Sequence, residues 1–304
     1  MKAVKTIQIP ASTTNLGSGF DALGLALKLF LRVEIEECME AGSDIILTGE
    51  GANELPADSE NLILRVMRRV YEGENRRVPA IHVRVSNQIP VARGLGSSAA
   101  AIVAGIGCFE AMTGMEIDSD RFFHYAFQFE NHPDNLTAAR YGGFTVSCAD
   151  DSGKITFFRS SLSFRIKLLL VVPDFQLQTQ RARSVIPKSV SLQDAVFNIQ
   201  RGALTVAVLL SNQFSFLRQS LRDRIHQPYR APLIPGFEEI LALQEHEIQG
   251  LLGICLSGAG PSVLAFAESN LGGIYRRIEA VFQKHGISSR AFELETDNQG
   301  RTIS

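Results

Sequence analysis

The chain of 304 residues reads as an α+β protein in two successive regions, each a sheet layered against helices. Three observations carry that reading. Segments with strand rhythm alternate with segments of helical periodicity along the whole length. A hydrophobic content of 45% against 20% charge supplies enough apolar side chains for a sizeable core. A polar turn from Asp150 to Lys154 precedes a fresh apolar run, IKLLLVV, which opens a second region near residue 160. The division expected is therefore 1–158 and 159–304.

Val4, Ile7 and Ile9 lead as a strand into PASTTNLGSGFD, a Gly/Ser/Thr/Asn-rich loop. Leu27, Leu29, Leu31, Val33 and Ile35 then alternate as a long strand. A helix with apolar face Leu62, Val66 and Val70 is expected to start at a cap on Asp58 or Ser59. Ile81, Val83 and Val85 form the next strand, and a second helix follows, running toward Gly114. Helical periodicity returns around Phe122, Phe123, Ala126 and Phe127, before the polar segment FENHPDN and a strand at FTVSC. In the second region Ser191 and Asp194 make a capping box for a long helix. LLGICLS and VLAFA are strands around the turn GAGPS, residues 271 to 285 are helical, and RAFELE is a strand.

Basic and acidic residues nearly cancel, 30 against 32. No Lys/Arg block stands out, which argues against nucleic acid and membrane partners. Cys38, Cys108, Cys148 and Cys255 are far apart and imply neither a zinc site nor a disulfide framework, so a reducing cytoplasm is the expected location. The opening MKAVKTIQIPAST has no export-signal core, and LGLALKLFLRV is too short and too charged to span a bilayer.

The most informative loop is Arg93-Gly94-Leu95-Gly96-Ser97-Ser98-Ala99, between a strand and a small-residue helix. Glycines there let a backbone approach an anion, and the start of a helix presents free N–H groups and partial positive charge. The Walker and dinucleotide glycine patterns do not fit it. As an isolated feature, a Gly/Ser loop before an Ala-rich helix is more often a tight turn.

The string PVARGLGSSAAA resembles the second motif of the GHMP small-molecule kinases. PASTTNLGSGFDALG resembles the first, in its homoserine kinase form, and LSGAGPSVLAF the third. ENHPDNLTAARYGG and RAPLIPGF resemble segments of the same branch, so the likeness runs from about Ile9 to about Phe266. The resemblance implies an N-terminal domain with a left-handed crossover, a C-terminal ferredoxin-like domain, ATP between them, and a homodimer. It implies transfer of the ATP γ-phosphoryl group to the hydroxyl of L-homoserine, within threonine biosynthesis. Another GHMP kinase acting on a different small alcohol, or a non-catalytic ATP- or amino-acid-binding regulator, are the alternatives.

Carried onto this sequence, the resemblance assigns the phosphates to Pro90, Val91, Ala92, Arg93, Gly94, Leu95, Gly96, Ser97, Ser98, Ala99 and Ala100, with Gly96 where a Cβ would meet phosphate oxygens. Ser98 and Glu130 become oxygen ligands for Mg²⁺; Glu130 also reads as a solvated helix-end carboxylate. Asn61 falls near the adenine or caps a helix. Asn15 and Asp21 take the ammonium end and hydroxyl of the substrate, and Arg183 and Arg230 its carboxylate, which suits the planar guanidinium fork. Thr179 falls near the transferring phosphate. His132 and Asn135 flank Asp134 in a polar cluster that reads as substrate contacts or as a turn held by side-chain hydrogen bonds. Related kinases have an Asp near the position of Asn135, credited as catalytic base. Asn15, Asp21 and Thr179 are the catalytic candidates here, with Asp21 or water receiving the proton. Arg93 points either to the phosphates or to solvent.

Overall fold

The long alternating strand organises the first sheet. A computed structural model describes residues 4–38, 43–162 and 166–304. In it β1 (Lys5–Thr14) and β2 (Leu23–Glu37) pair antiparallel over nearly their whole lengths. Leu27, Leu29, Leu31, Val33 and Ile35 are buried while Lys28 and Arg32 face solvent, the period-two pattern expected of a half-buried strand. β3 (Ser43–Gly49), α1 (Leu62–Gly73) and β4 (Ile81–Asn87) follow as a parallel strand pair joined through a helix. Next come α2 (Ser97–Thr113), α3 (Ser119–Ala126), α4 (Pro133–Tyr141), β5 (Phe144–Ala149) and β6 (Ile155–Ser160).

The second region comprises β7 (Lys167–Pro173), α5 (Thr179–Ser184), α6 (Leu192–Ser211), α7 (Leu217–Ser220), α8 (Gln227–Arg230) and α9 (Phe237–Ala242). It continues with β8 (Leu251–Leu256), β9 (Val263–Ala267), α10 (Leu271–Lys284) and β10 (Ser289–Leu294). These four strands form an antiparallel sheet in the order β10-β7-β9-β8. With helices between its first and second and its third and fourth strands, that is the ferredoxin-like arrangement. A last strand, β11 (Thr302–Ile303), returns to the first sheet and pairs with β1, giving the order β11-β1-β2-β4-β3 with β5 on β2 and β6 on β5. The division expected at 158/159 falls inside β6, and we place the sheet boundary after Ser160, with the β11 segment counted to the first sheet.

The run IKLLLVV lacks alternation because both faces of β7 are covered. Leu168, Leu170 and Val172 join the large core of the first region, while Leu169 and Val171 pack with Ile278 and Phe282 of α10 in a second core. The two regions therefore share apolar packing. Ser191 caps α6 as expected, its Oγ accepting from the amide of Asp194 at 3.1 Å, but the Asp194 carboxylate of the expected box accepts from Ser191 Oγ, at 2.7 Å. The cap of α1 is a correction. Asn61 accepts from the amide of Ile63 at 3.0 Å, while Asp58 closes a tighter turn onto the amide of Glu60. Among the described residues no helix is long and apolar enough to cross a membrane.

α2 is buried almost all round, and its one acidic residue, Glu110, is paired to Arg301 just before β11 and to Arg140 of α4. Glu110 also accepts from the amide of Ile117 at 2.9 Å. Removing one partner of a buried ion pair strands the other charge. Arg301→Met should therefore cost about 3 kcal/mol or more in urea unfolding; an unchanged midpoint and slope would show that Arg140 alone satisfies Glu110.

Candidate active site

Between the sheets lies a cleft of ≈ 450 Å³. One end is apolar, built by Leu47 of β3, Val85 of β4, and Leu62 and Ile63 of α1, with Asn61 on its rim. Asn61 spends its side chain on capping α1 and on the carbonyl of Pro56, at 2.7 Å, so the cap reading and the cleft position hold together. The middle of the cleft is the glycine loop and the start of α2. The first amides of a helix have no intrahelical carbonyl to bond, so those of Ser97, Ser98 and Ala99 form a partial positive centre at the cleft wall.

Val91, Ala92, Arg93, Gly94, Leu95, Gly96, Ser97, Ser98 and Ala99 all line the cleft. Pro90 and Ala100 are buried away from it, because the chain turns into the core on either side of the loop. Ala92 holds φ 54, a left-handed conformation that costs a non-glycine residue energy and persists only where the surroundings impose it. Arg93 turns neither to the phosphate end nor freely to solvent. Its Nε donates to the carbonyl of Pro173 at 3.1 Å and Nη1 to that of Val91 at 3.2 Å, pinning the loop to the end of β7. For Gly96 the steric reason also differs from the one expected: at φ +68, a Cβ would lie 2.1 Å from Ser12 Oγ and 2.8 Å from Asn135 Oδ1. The constraint comes from protein packing beneath the loop.

The third motif closes on this loop from the second region. Ser257 Oγ donates to the carbonyl of Gly94 at 2.8 Å, and the amide of Gly258 donates to the carbonyl of Thr14 at 3.2 Å. The β8–β9 turn thus touches the first two motifs at once.

At the other end stand the charged candidates. Asn15, Leu16 and Asp21 all have positive φ, which marks the first-motif loop as a shape held by its contacts. Asn15 is a tie: its Nδ2 donates to the carbonyl of Gly258 at 2.9 Å, and its Oδ1 accepts from the amide of Asp21 at 2.9 Å. Arg183 of α5 forks onto Asp21, with Nη2–Oδ1 at 2.6 Å and Nη1–Oδ2 at 3.0 Å. The two residues expected at opposite ends of one substrate thus face each other. Arg230, at the end of α8, is 1% exposed and lines the cleft; burial and the neighbouring Arg183 bring its guanidinium down to about 10. Thr179 opens α5 at the cleft wall.

His132 precedes α4, and its Nδ1 lies 2.7 Å from Glu130 Oε1. Burial pushes the Glu130 carboxyl up, but His132, the amide of Asn131 and Arg183 together hold it below its usual value, so it stays ionised. Asn135 Oδ1 accepts from Ser12 Oγ at 2.9 Å and its Nδ2 donates to Thr14 Oγ1 at 3.2 Å, which ties α4 to β1. Sequence reasoning assigned no role to Ser12, Thr14 or Phe20, and placed Asp134 only as a member of a polar cluster. Phe20 lies beneath both cleft arginines, at 5.5 Å from Arg183 and 5.3 Å from Arg230; its place inside the first motif was the signal that could have found it.

For a metal, Ser98 and Glu130 line the same cleft, and among the described residues no group of three or more His, Cys, Asp or Glu could form a cage by itself. That donor set fits Mg²⁺, which binds through one or two carboxylates and the phosphates it accompanies.

Residues 61–143 match the family described as GHMP kinases N terminal domain, and residues 207–284 match GHMP kinases C terminal. A homoserine kinase of Persephonella marina is 38% identical over 100% of this chain and 99% of its own length. One of Aquifex aeolicus is 38% identical, with 97% of each chain covered. The crystal structure of homoserine kinase from Cytophaga hutchinsonii superposes with a TM-score of 0.86 at 28% identity, covering 100% of this chain and 98% of that one.

Asp134 is fully enclosed, and burial, reinforced by the Asp21 carboxylate, pushes it up to about 6. The fold therefore holds its proton more tightly than the open chain does. Stability from this group is full below the ordinary Asp value and is lost as pH rises to about 6. Asp134→Asn removes that loss. In urea titrations the variant should gain on the parent by roughly 1–3 kcal/mol between about pH 4 and about pH 7; a difference that stays flat across the range would place the titration elsewhere.

Proposed function

The chain belongs to the GHMP kinase family, and we propose that the alcohol it phosphorylates is the side-chain hydroxyl of L-homoserine, with ATP as donor. The observation that carries this reading is the arrangement of opposite charges at one end of the cleft. Asp21, Arg183 and Arg230 stand together there, and the amide-rich start of α2 forms the neighbouring wall. An α-amino acid brings an ammonium and a carboxylate on one carbon. It can exchange partners with the Asp21–Arg183 pair, ammonium to Asp21 and carboxylate to Arg183 and Arg230, so that no charge in the site is left unpaired. A ligand with only one of those charges cannot.

Phosphoryl transfer passes through a loose transition state, so positioning and charge neutralisation do most of the work. The amides of Ser97, Ser98 and Ala99 face the phosphates, the apolar end between β3, β4 and α1 takes the base, and Thr179 borders the transferring group. Ser98 and Glu130 would hold Mg²⁺, which supplies charge neutralisation at the phosphate oxygens. Asn15 keeps the Asp21 backbone in its left-handed conformation, and Asp21 orients the amino acid so that its hydroxyl meets the phosphoryl group. The loose transition state makes little demand for a strong base; Asn135 cannot serve as one, and the hydroxyl proton passes to Asp21 or to water.

The test is ADP release with a panel of alcohols. L-Homoserine should be turned over, whereas 3-aminopropan-1-ol, which lacks the carboxylate, and 4-hydroxybutanoate, which lacks the ammonium, should be poor. Equal turnover of all three would leave a GHMP kinase of another alcohol. Glu130→Gln should keep the fold and lower turnover most at limiting Mg²⁺, because it preserves shape and removes the ligand charge; an unaltered Mg²⁺ response would move the ligand to another residue.

A further inference from the structure

Arg230 is among the largest side chains fully withdrawn from solvent, and a guanidinium so placed is aimed by its neighbours. Its Nε donates to the carbonyl of Ala182 at 3.2 Å and its Nη1 to that of Gly258 at 3.0 Å. Nη1 also lies 3.1 Å from His226 Nδ1, one helical turn back. Nη2 has no hydrogen-bond partner among the described residues, so it is the nitrogen left for a ligand.

His226 is itself 0% exposed, and its other ring nitrogen, Nε2, lies 2.7 Å from the carbonyl of Gly17 in the first-motif loop. A guanidinium only donates and a carbonyl only accepts. One tautomer satisfies both, with the lone pair on Nδ1 and the hydrogen on Nε2. Burial, opposed by Asp223 and reinforced by Arg230, holds the imidazole below its usual pKa and hence neutral. Asp223 Oδ2 is 3.7 Å from Nε2, farther than the Gly17 carbonyl. Its carboxylate is occupied in fixing the backbone, accepting from the amides of Ile225, His226 and Gln227 and from Asn198 Nδ2. Phe20 stacks on the imidazole at 5.2 Å.

We infer that His226 is a specificity-determining positioning residue: by accepting from Arg230 and donating to Gly17, it fixes the carboxylate-reading arginine relative to the loop that carries Asn15 and Asp21. The separation of the two charges it accepts on one ligand is thereby set. This inference rests on the substrate role proposed for Arg230.

Two variants separate the two bonds. His226→Gln can still donate to Gly17 but has no acceptor at the Nδ1 position; His226→Asn places an oxygen near Nδ1 and leaves Gly17 unpaired. With L-homoserine, the Gln variant should raise KM about ten- to a hundredfold, the loss of one hydrogen bond from a charged donor, with kcat and the KM for ATP little changed. The Asn variant should recover most of that loss. Turnover of 3-aminopropan-1-ol should respond to neither. Arg230→Met in the same assay distinguishes the premises. If it leaves the homoserine KM at the parental value, the carboxylate reading has failed. If it raises KM while the two His226 variants match each other or the parent, His226 is packing and the inference is overturned.

Because a buried substitution can prevent folding, nitrogen NMR of the labelled parent protein tests the tautomer directly. Among its six histidines, one non-titrating ring should carry hydrogen on Nε2 and none on Nδ1. A buried ring protonated on Nδ1 overturns the inference.

Discussion

The glycine loop of the first region and the β8–β9 turn of the second approach so closely that a Cβ on Gly94 would lie 2.1 Å from the carbonyl of Ser257. Backbone against backbone is the tightest join two layers can make, and it is possible here because Gly94 has φ +74 and no side chain. The rest of the cleft follows from it. The turn brings Gly258 to the end of β1 and offers its carbonyl to both Asn15 and Arg230. One carbonyl thus orients a residue from each region. The cleft is built across a seam whose closure is set by main-chain contacts, while the side chains around it are left free to differ in chemistry.

Charge in the cleft is arranged as a set of unequal neighbours. Two arginines share Phe20, one carboxylate is forked by Arg183, and a second, Asp134, is enclosed close enough to the first to favour its proton. Like charges so near one another in a partly dry site cannot all ionise without cost. A zwitterion would supply one charge of each sign to that arrangement, so the amino-acid substrate proposed for the site and the electrostatic tension among its side chains have one origin.

How much of this was legible from the residues varies with the kind of feature. β2, α6, β7 and the β8–β9 pair were readable because periodicity, a capping box and a Gly-rich turn are local signals. β3 and β6 were missed: β3 lies at a sheet edge, and β6 turns Phe158 half outward, so neither shows clean alternation. Likewise, motif resemblance named Asn15, Asp21, Arg183 and Arg230 together, but only coordinates show that Asn15 is spent on Gly258 and that Arg183 is closed on Asp21. His226 had a weak local signal, three residues after Asp223 and four before Arg230. Its decisive partner, Gly17, is more distant in sequence than any pattern reaches.

β11 lies at the far end of the chain yet pairs Ile303 with Ile7. The whole ferredoxin-like sheet is made between the two halves of that pairing, so during synthesis the outer edge of β1 stands open while every other strand is already present. Contacts of such long sequence separation form late, and an unpaired strand edge is a template for another chain. Until β11 is in place, part of the β1 edge is therefore open to a neighbouring chain, and in the folded protein the Arg301–Glu110 pair anchors the segment that covers it.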